Sequence, residues 1–142
     1  MIRKKISRIL VPLDGSKNSI RGLETAITIA RGCGSTITGL YCIHEQSHSE
    51  FGKGSSNDQP SPQMKKFMDA AKVLAAQNAI DFKEKIARGE IGYTIIKTAR
   101  GNPKHDMIVM GSRGRSSAKQ MIFGSISNYV IHTAAMPVVI VK

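Results

Sequence analysis

Two short segments of the sequence carry residues that could bind an anion. They are residues 111–114 (Gly-Ser-Arg-Gly) and 124–125 (Gly-Ser), and residues 14–16 (Asp-Gly-Ser) form a turn after another predicted strand. Glycines let the main chain turn sharply and bring its N–H groups against a negative charge, and a helix that begins at residue 125 adds unpaired N–H groups. Positive charge in the same stretch comes from Arg113, Arg115 and Lys119. The spacing indicates a cradle for a polyphosphate, although glycines after a strand also serve as plain turns, so the residues alone leave both interpretations open.

The segments that must position these residues alternate between strand and helix patterns. Apolar runs predict strands over about 6–13, 37–43, 80–87, 107–110 and 137–141, and helical spacing predicts helices over 17–31, 62–75, 90–100 and 125–135. Each helix is long enough to cross between parallel strands, which predicts an α/β fold with one doubly wound parallel sheet and helices on both faces. Ligands of such sheets bind outside the carboxyl ends of the strands, where the strand order reverses. Residues 14–16 and 111–114 follow the first and fourth predicted strands.

Three further patterns describe the rest of the chain. Residues 45–62 are polar, rich in Gly and Ser and without periodicity, which predicts a mobile loop inside the domain. The apolar stripe that begins with Met64 and Met68 is typical of a helix face buried in the core, because Met readily fills gaps there. Between residues 80 and 87, apolar residues alternate with charged ones, which predicts a half-exposed strand at an edge of the sheet.

Length, charge and cysteine content narrow the class of protein. The 142 residues predict one domain over 1–142, and 21 Lys and Arg against 10 Asp and Glu give a formal net charge of +11. The two cysteines, Cys33 and Cys42, form neither a disulfide framework nor a CxxC motif. No apolar run approaches the roughly 18–20 residues of a membrane span. The expectation is a reduced, cytoplasmic protein without a membrane partner.

The positive charge invites a nucleic-acid hypothesis, but its distribution weakens that hypothesis. Lys and Arg recur along the whole chain, with denser clusters over residues 3–8 and 113–119. Aromatic residues make up 5% of the chain, and no run of aromatic residues among basic ones resembles an RNA-binding motif. Binding of a nucleic acid or another polyanion therefore remains one hypothesis for the function, and it is the least favoured of the three that the sequence suggests.

The order of the motifs resembles that of the universal stress protein family over nearly the entire chain. Gly111-x2-Gly114-x9-Gly124-Ser125 looks like the nucleotide-binding signature of that family. The opening ILVPLDGS, the segment DMIVMGSRG over 106–114 and the final PVVIV fall in the family order. Several motifs at matching separations make this resemblance more specific than a single glycine pattern.

The resemblance implies a Rossmann-like sheet of five parallel strands in the order 3-2-1-4-5, and a homodimer joined through the last strand. Members with the glycine signature bind ATP, so the resemblance places this chain in the ATP-binding branch. Cys42 falls where members contact adenine through the main chain. The residues implied to line the nucleotide site are Pro12, Asp14, Ser16, Cys42, Gly111, Arg113, Gly114, Gly124, Ser125 and Ser127.

Three of the implied site residues have other interpretations. A carboxylate at Asp14 would repel phosphates, so it either accepts hydrogen bonds from ribose hydroxyls or binds a Mg²⁺ that bridges the phosphates; it can also simply cap the turn. Ser16 can equally cap the first helix. The Cys42 thiol is expected to behave as a small apolar group, not as a nucleophile. Ile126 is expected to pack in the core.

Catalytic motifs are weak by comparison. Residues 44–48 (His-Glu-Gln-Ser-His) match the HExxH zinc motif, but that chemistry needs a helix, and here the motif follows a strand pattern. The chain has no GxxxxGK[ST] loop and no GxSxG elbow.

The leading hypothesis is an ATP-binding stress or signalling regulator with little or no hydrolysis and no catalytic residues. The alternative is a slow Mg-dependent ATPase that uses Asp14. The pattern does not separate ATP from AMP or a cyclic nucleotide.

Overall fold

Strands and helices follow one another in the predicted alternation. The computed structural model describes residues 4–44, 59–113 and 124–142. The strands in these ranges are β1 (Arg8–Pro12), β2 (Thr36–Ile43), β3 (Phe82–Arg88), β4 (Met107–Gly111) and β5 (Val138–Val141). The helices are α1 (Lys17–Cys33), α2 (Pro62–Gln77), α3 (Ile91–Arg100) and α4 (Ser125–Thr133).

The five strands form one parallel sheet in the order β3-β2-β1-β4-β5. Ile9, Leu10 and Val11 of the central strand β1 have no exposed surface. A strand covered on both faces must be apolar at every position, which is why this segment is a continuous apolar run without alternation. The predicted α/β fold with strand order 3-2-1-4-5 and helices on both faces is confirmed.

Two apolar layers fill the space between the sheet and its helices. On one face α1 and α2 pack against β1, β2 and β4, and this layer includes Met64 and Met68. On the other face α3 and α4 cover Leu10, Leu40 and Ile108. The prediction that the Met-rich stripe lies in the core is confirmed. Ile126 packs against the second layer, also as predicted.

The helix ends lie within two residues of the predictions, since α1 and α2 each run two residues further and α4 ends two residues earlier. The hydroxyl of Ser16 accepts a hydrogen bond from the N–H of Ser19 at 3.1 Å, which confirms the predicted N-cap of α1. Helix α4 ends at Thr133, two residues earlier than the prediction of 125–135, because Ala134 has extended backbone. The chain turns there so that Met136, 6% exposed, enters the core before β5. No helix in the described ranges has the length and apolar content to cross a membrane.

The edge position of β3 is confirmed, since it pairs only with β2 in the described sheet. Ile86 on this strand is 39% exposed, and Glu84 forms an ion pair with Lys72 of α2. Of the predicted loop over 45–62, residues 45–58 lie outside the described residues. Ser61 caps α2 by accepting a hydrogen bond from the N–H of Met64 at 3.1 Å, so the predicted helix entry at residues 61–62 is confirmed.

The apolar layer under α2 gives a direct test of these packing assignments. Met68 is 1% exposed, and Val73, five residues further along the same helix, is 55% exposed. We expect Met68→Ala to lower the free energy of unfolding by about 2–5 kcal/mol, because it leaves a cavity in the core. Val73→Ala, the control, should change it by less than about 0.5 kcal/mol. Chemical denaturation measures both values, and equal losses would contradict the burial of this helix face.

Candidate functional site

The sheet opens between β1 and β4, where the strand order reverses. These two strands share two paired positions, the second of which joins Leu10 to Ile108, whereas β1 pairs with β2 as far as Pro12. Beyond Leu10 and Ile108 the carboxyl ends of β1 and β4 are no longer paired with each other. The gap between them, called the crevice below, is the position at which parallel α/β sheets bind ligands.

The turn after β1 is built from its own polar side chains. The Asp14 Oδ1 atom accepts a hydrogen bond from the N–H of Ser16 at 2.9 Å, and Gly15 has a φ of +86°, in the left-handed region that favours glycine. The capping roles that the sequence left open for Asp14 and Ser16 are therefore both present. Asp14 Oδ2 makes no hydrogen bond within the described residues and is available at the crevice.

The start of α4 is tied to the end of β4. The N–H of Gly124 donates to the carbonyl of Ser112 at 2.7 Å. The hydroxyl of Ser127, 2% exposed, donates to the carbonyls of Ser112 and Gly124, both at 2.9 Å. The donor of Ser127 is thus used to hold the two segments together. The segments that the glycine signature joins are brought together at the crevice, although residues 114–123 between them, which include Gly114, Arg115 and Lys119, lie outside the described residues.

The first turn of α4 presents backbone donors without a side-chain cap. Gly124 is the N-cap and has no side chain that could accept a hydrogen bond from the helix start. An α-helix leaves its first N–H groups without intrahelical partners, and those of Ser125 and Ile126 are among them here. Ser125 and Arg113 are both exposed. Unpaired N–H groups, a helix dipole and a guanidinium in one place favour a phosphate-type anion.

Gly111 is required for a different reason from the one its place in the signature indicates. Its φ is not in the left-handed region; instead, a Cβ atom at Gly111 would lie 2.8 Å from Asn18 Cγ and 2.9 Å from the Asn18 carbonyl oxygen. On the facing side of α1, a Cβ at Gly22 would lie 3.2 Å from the N atom of Gly111. These two glycines let the first turns of α1 lie directly against the end of β4.

Asn18 is the site residue that the sequence did not identify. Its Oδ1 accepts a hydrogen bond from the N–H of Arg113 at 2.8 Å, and its Nδ2 donates to the carbonyl of Val141 at 3.2 Å. The N–H of Ser112 donates to the same Val141 carbonyl at 2.8 Å. Asn18 therefore joins the loop after β4 to the end of β5. Its only sequence signal is a poor helix former placed in a first turn.

The main chain of Cys42 extends past the end of β1. The last bond across this pair runs from the N–H of Leu13 to the carbonyl of Leu40 at 2.8 Å. Alternate residues of a parallel strand direct their N–H and C=O groups to the same side, so those of Cys42 point to the β1 side, beyond the point where β1 pairs. No strand of the described sheet meets them there. They border the crevice opposite the start of α4.

The Cys42 side chain, unlike its main chain, is part of the apolar core. It packs against the apolar layer under α3 and α4, and burial raises the pKa of its thiol to about 12. The thiol stays protonated near neutral pH, which agrees with the expectation of a small apolar group.

The described residues give little support for a metal site or for a zinc-protease motif. No group of three or more His, Cys, Asp or Glu side chains in these ranges is arranged to hold a metal ion. His44 of the HExxH match directly follows β2 and is exposed, not helical; the other four residues of the motif lie outside the described residues. Asp14 remains a single carboxylate at the crevice.

The bridge made by Asn18 can be tested by its removal. Asn18→Ala leaves the N–H of Arg113 and one bond to the Val141 carbonyl without their partner, so we expect a loss of about 1–2 kcal/mol in the free energy of unfolding. Asn128 on the exposed side of α4 provides the control, and Asn128→Ala should cost less than about 0.5 kcal/mol. Thermal or chemical unfolding reports both, and a neutral Asn18→Ala would show that the bridge contributes nothing.

Known proteins of the same fold include several that match nearly the whole chain. "Universal stress protein YxiE" of Bacillus subtilis is 27% identical over 152 residues, covering 96% of this chain and 99% of that protein. "Stress response protein NhaX" of the same organism is 30% identical over 161 residues, covering 95% and 97%. The solved structure of hypothetical protein MJ0577 matches with a TM-score of 0.84 and 26% identity over 98% of this chain and 97% of its own.

Two further solved structures share the fold at lower identity and contain nucleotides. One is a universal stress protein in complex with cAMP, with a TM-score of 0.75, 19% identity and coverage of 98% of this chain and 99% of its own. The other is the universal stress protein from Archaeoglobus fulgidus in complex with dAMP, with a TM-score of 0.72, 21% identity and coverage of 96% and 98%. A sequence model of the universal stress protein family matches residues 5–142 of this chain. The chain therefore belongs to the universal stress protein family.

Proposed function

We propose that this protein binds an adenine nucleotide, ATP foremost, in the crevice, and that it acts as a nucleotide-dependent regulator in stress response or signalling. One observation carries the proposal: the uncapped start of α4 is held by Ser112 and Ser127 at the end of β4, beside the turn after β1. This places anion-binding backbone donors at the point where the strand order reverses.

The phosphates lie at the start of α4. The N–H groups of Ser125 and Ile126, the Ser125 hydroxyl and the Arg113 guanidinium supply donors and positive charge. Gly124 has no side chain above these donors, so an oxygen of the ligand reaches them directly. Gly114, outside the described residues, completes the signature that the ATP-binding branch of the family carries. That signature favours ATP as the ligand.

The adenine lies beside the main chain of Cys42. The Watson–Crick edge of adenine offers an N–H donor and a nitrogen acceptor side by side, and one residue's C=O and N–H are their complements. The relatives solved with cAMP and dAMP both hold an adenine base in this fold, which supports an adenine nucleotide. Pro12, at the end of β1, borders the same space. Ribose lies between the two ends, within reach of Asp14 Oδ2.

Asp14 also fits a Mg²⁺ that travels with the phosphates. Mg²⁺ commonly takes one or two protein carboxylates and completes its shell with phosphate oxygens and water, so a single free carboxylate oxygen at the crevice is sufficient. The metal, when bound, neutralises the repulsion between Asp14 and the phosphates. Little or no hydrolysis is proposed, because the chain lacks a P-loop, whose lysine binds the β- and γ-phosphates and whose hydroxyl binds Mg²⁺.

Regulation passes through β5. Asn18 and Ser112 both bond to the Val141 carbonyl, so the loop that holds the phosphates is fixed to the last residue of this edge strand. We propose a homodimer through β5, whose outer edge has no strand partner within the described chain. Edge strands of this kind readily pair with another strand. A nucleotide that orders the loop would then alter the dimer contact.

The α4 start tests the phosphate assignment without breaking the fold. Gly124→Asp and Gly124→Asn both supply a good N-cap side chain, and a Cβ at this position lies 3.4 Å from its nearest neighbour. We expect both variants to fold at least as stably as the parent. The aspartate should weaken ATP binding at least about a hundredfold in calorimetry, because its charge and its cap bond both exclude phosphate. The neutral asparagine should weaken it less. Unchanged affinity in Gly124→Asp would overturn the placement.

Asp14 gives a separate test of the metal. Asp14→Asn keeps the acceptor for the N–H of Ser16 but loses the charge. We expect the parent protein to bind ATP more tightly with Mg²⁺ than with EDTA, and this ratio to fall to about one in the variant. An undiminished Mg²⁺ dependence in Asp14→Asn would remove the metal from Asp14. Phosphate release measured in the same samples tests the slow-ATPase alternative.

A further inference from the structure

A small cavity, called the second cavity here, lies at the opposite end of the sheet from the crevice. Its volume is about 170 Å³, and it is lined by Thr38, Lys83, Glu84, Lys85, Thr98, Asn102, Pro103 and His105. His105 precedes β4, whereas Gly111 ends it, so at about 3.3 Å per residue the cavity and the crevice are roughly 20 Å apart. The cavity is therefore not part of the proposed nucleotide site.

Two lysines of β3 bring uncompensated positive charge to this cavity. Lys83 is paired in register with Thr38 and Lys85 with Leu40, and Leu40 lies in the layer under α3, so both lysines project on that face. Glu84 between them directs its carboxylate to the other face, where it forms the ion pair with Lys72. Within the described residues neither Lys83 nor Lys85 has an ion-pair partner.

A buried histidine lines the same cavity. His105 is 4% exposed, its Nε2 lies 3.0 Å from the hydroxyl of Thr38, and its Nδ1 has no hydrogen-bond partner of good geometry in the described residues. Nδ1 is itself buried, and the backbone of Thr98 lies close enough to the ring to act on its pKa. An anion in the cavity would therefore act on the ring through its charge and through Thr38.

The charges around the ring act in opposite directions. Burial lowers the pKa of His105, the backbone of Thr98 raises it, Arg8 and Lys85 lower it, and Asp106 raises it, with a net lowering. Asp106 is itself engaged, since its Oδ2 accepts hydrogen bonds from the N–H groups of Ser7 and Arg8 at 2.9 and 3.0 Å. The positive charges that act on the ring therefore include Lys85 of the cavity, and an anion beside Lys85 would offset its effect.

We propose that this cavity binds a phosphate-type oxyanion between Lys83, Lys85 and the Thr38–His105 pair. The two lysines offer charge-assisted N–H donors, and Thr38 adds its O–H when the ring N–H of His105 is the donor of the bond between the two. The cavity is smaller than the roughly 300–1,000 Å³ of pockets that enclose a whole ligand. It suits one phosphate group, either as the free ion or at the end of a larger phosphomonoester.

The test is an NMR titration of the full-length protein with inorganic phosphate, in which the chemical shifts of the His105 ring protons are measured. We expect a saturable shift that persists when ATP is present, because the crevice is a separate site. Lys83→Gln combined with Lys85→Gln should raise the dissociation constant at least about tenfold. Lys65→Gln combined with Lys66→Gln, two exposed lysines of α2, removes the same charge and should change it less than about twofold. Thermal unfolding confirms that both double variants fold.

Two outcomes would overturn the site. If His105 shows no saturable shift at millimolar phosphate, the cavity holds no such anion. If both double variants weaken binding equally, the effect is one of net charge and not of a site. Glycerol phosphate identifies the source: a shift of His105 like that with phosphate assigns a monoester, and a shift with phosphate alone assigns the free ion.

The pKa of His105, measured with and without sulfate, separates binding in the cavity from binding elsewhere. Sulfate keeps its charge across neutral pH, and an anion beside His105 stabilises the protonated ring. Saturating sulfate should therefore raise the pKa of His105, and by linkage its binding should strengthen as the pH falls through that pKa. The shift should be lost in the Lys83→Gln, Lys85→Gln protein. An unmoved pKa in the parent would contradict the proposal.

Discussion

The structure depends on the burial of β1 at the centre of the sheet. Ile9, Leu10 and Val11 have no exposed surface, so both faces of the strand must be covered and both of its edges paired. The chain meets this constraint by sending β2 and β3 to one side and β4 and β5 to the other. The reversal of direction that results leaves the carboxyl ends of β1 and β4 apart. The crevice is thus a consequence of placing strands on both sides of β1 to bury it.

The elements beside the crevice are joined by close contacts at glycines and by one asparagine side chain. Gly22 and Gly111 let α1 lie directly against β4, and Asn18 then reaches both the loop after β4 and the end of β5. The same few residues fix the loop after β4 and the edge strand. This shared anchor is the physical basis of the regulatory role that we propose for a nucleotide.

Much of this fold follows from local patterns, because strand and helix periods are local. The α4 start at residues 124–125 and the Ser16 cap could be predicted, since caps depend on neighbouring residues. Asn18 could not, because its two hydrogen bonds cross 95 and 123 residues of sequence. The early end of α4 depends on Met136 entering the core, which is also tertiary. For Gly111, the sequence signature does not indicate the close contact with Asn18 that requires a glycine there.

The positive charge of +11 now has two local interpretations, at opposite ends of the sheet. Arg113 lies by the crevice, and Lys83 and Lys85 lie by the second cavity.

The central claim is that an adenine nucleotide binds in the crevice. Its most direct test is an amide NMR titration of the ¹⁵N-labelled protein with ATP. A nucleotide in the crevice should shift the amides of Cys42, Ser125 and Ile126 together. Shifts confined to the Thr38–His105 end of the sheet, or no saturable shift, would contradict it.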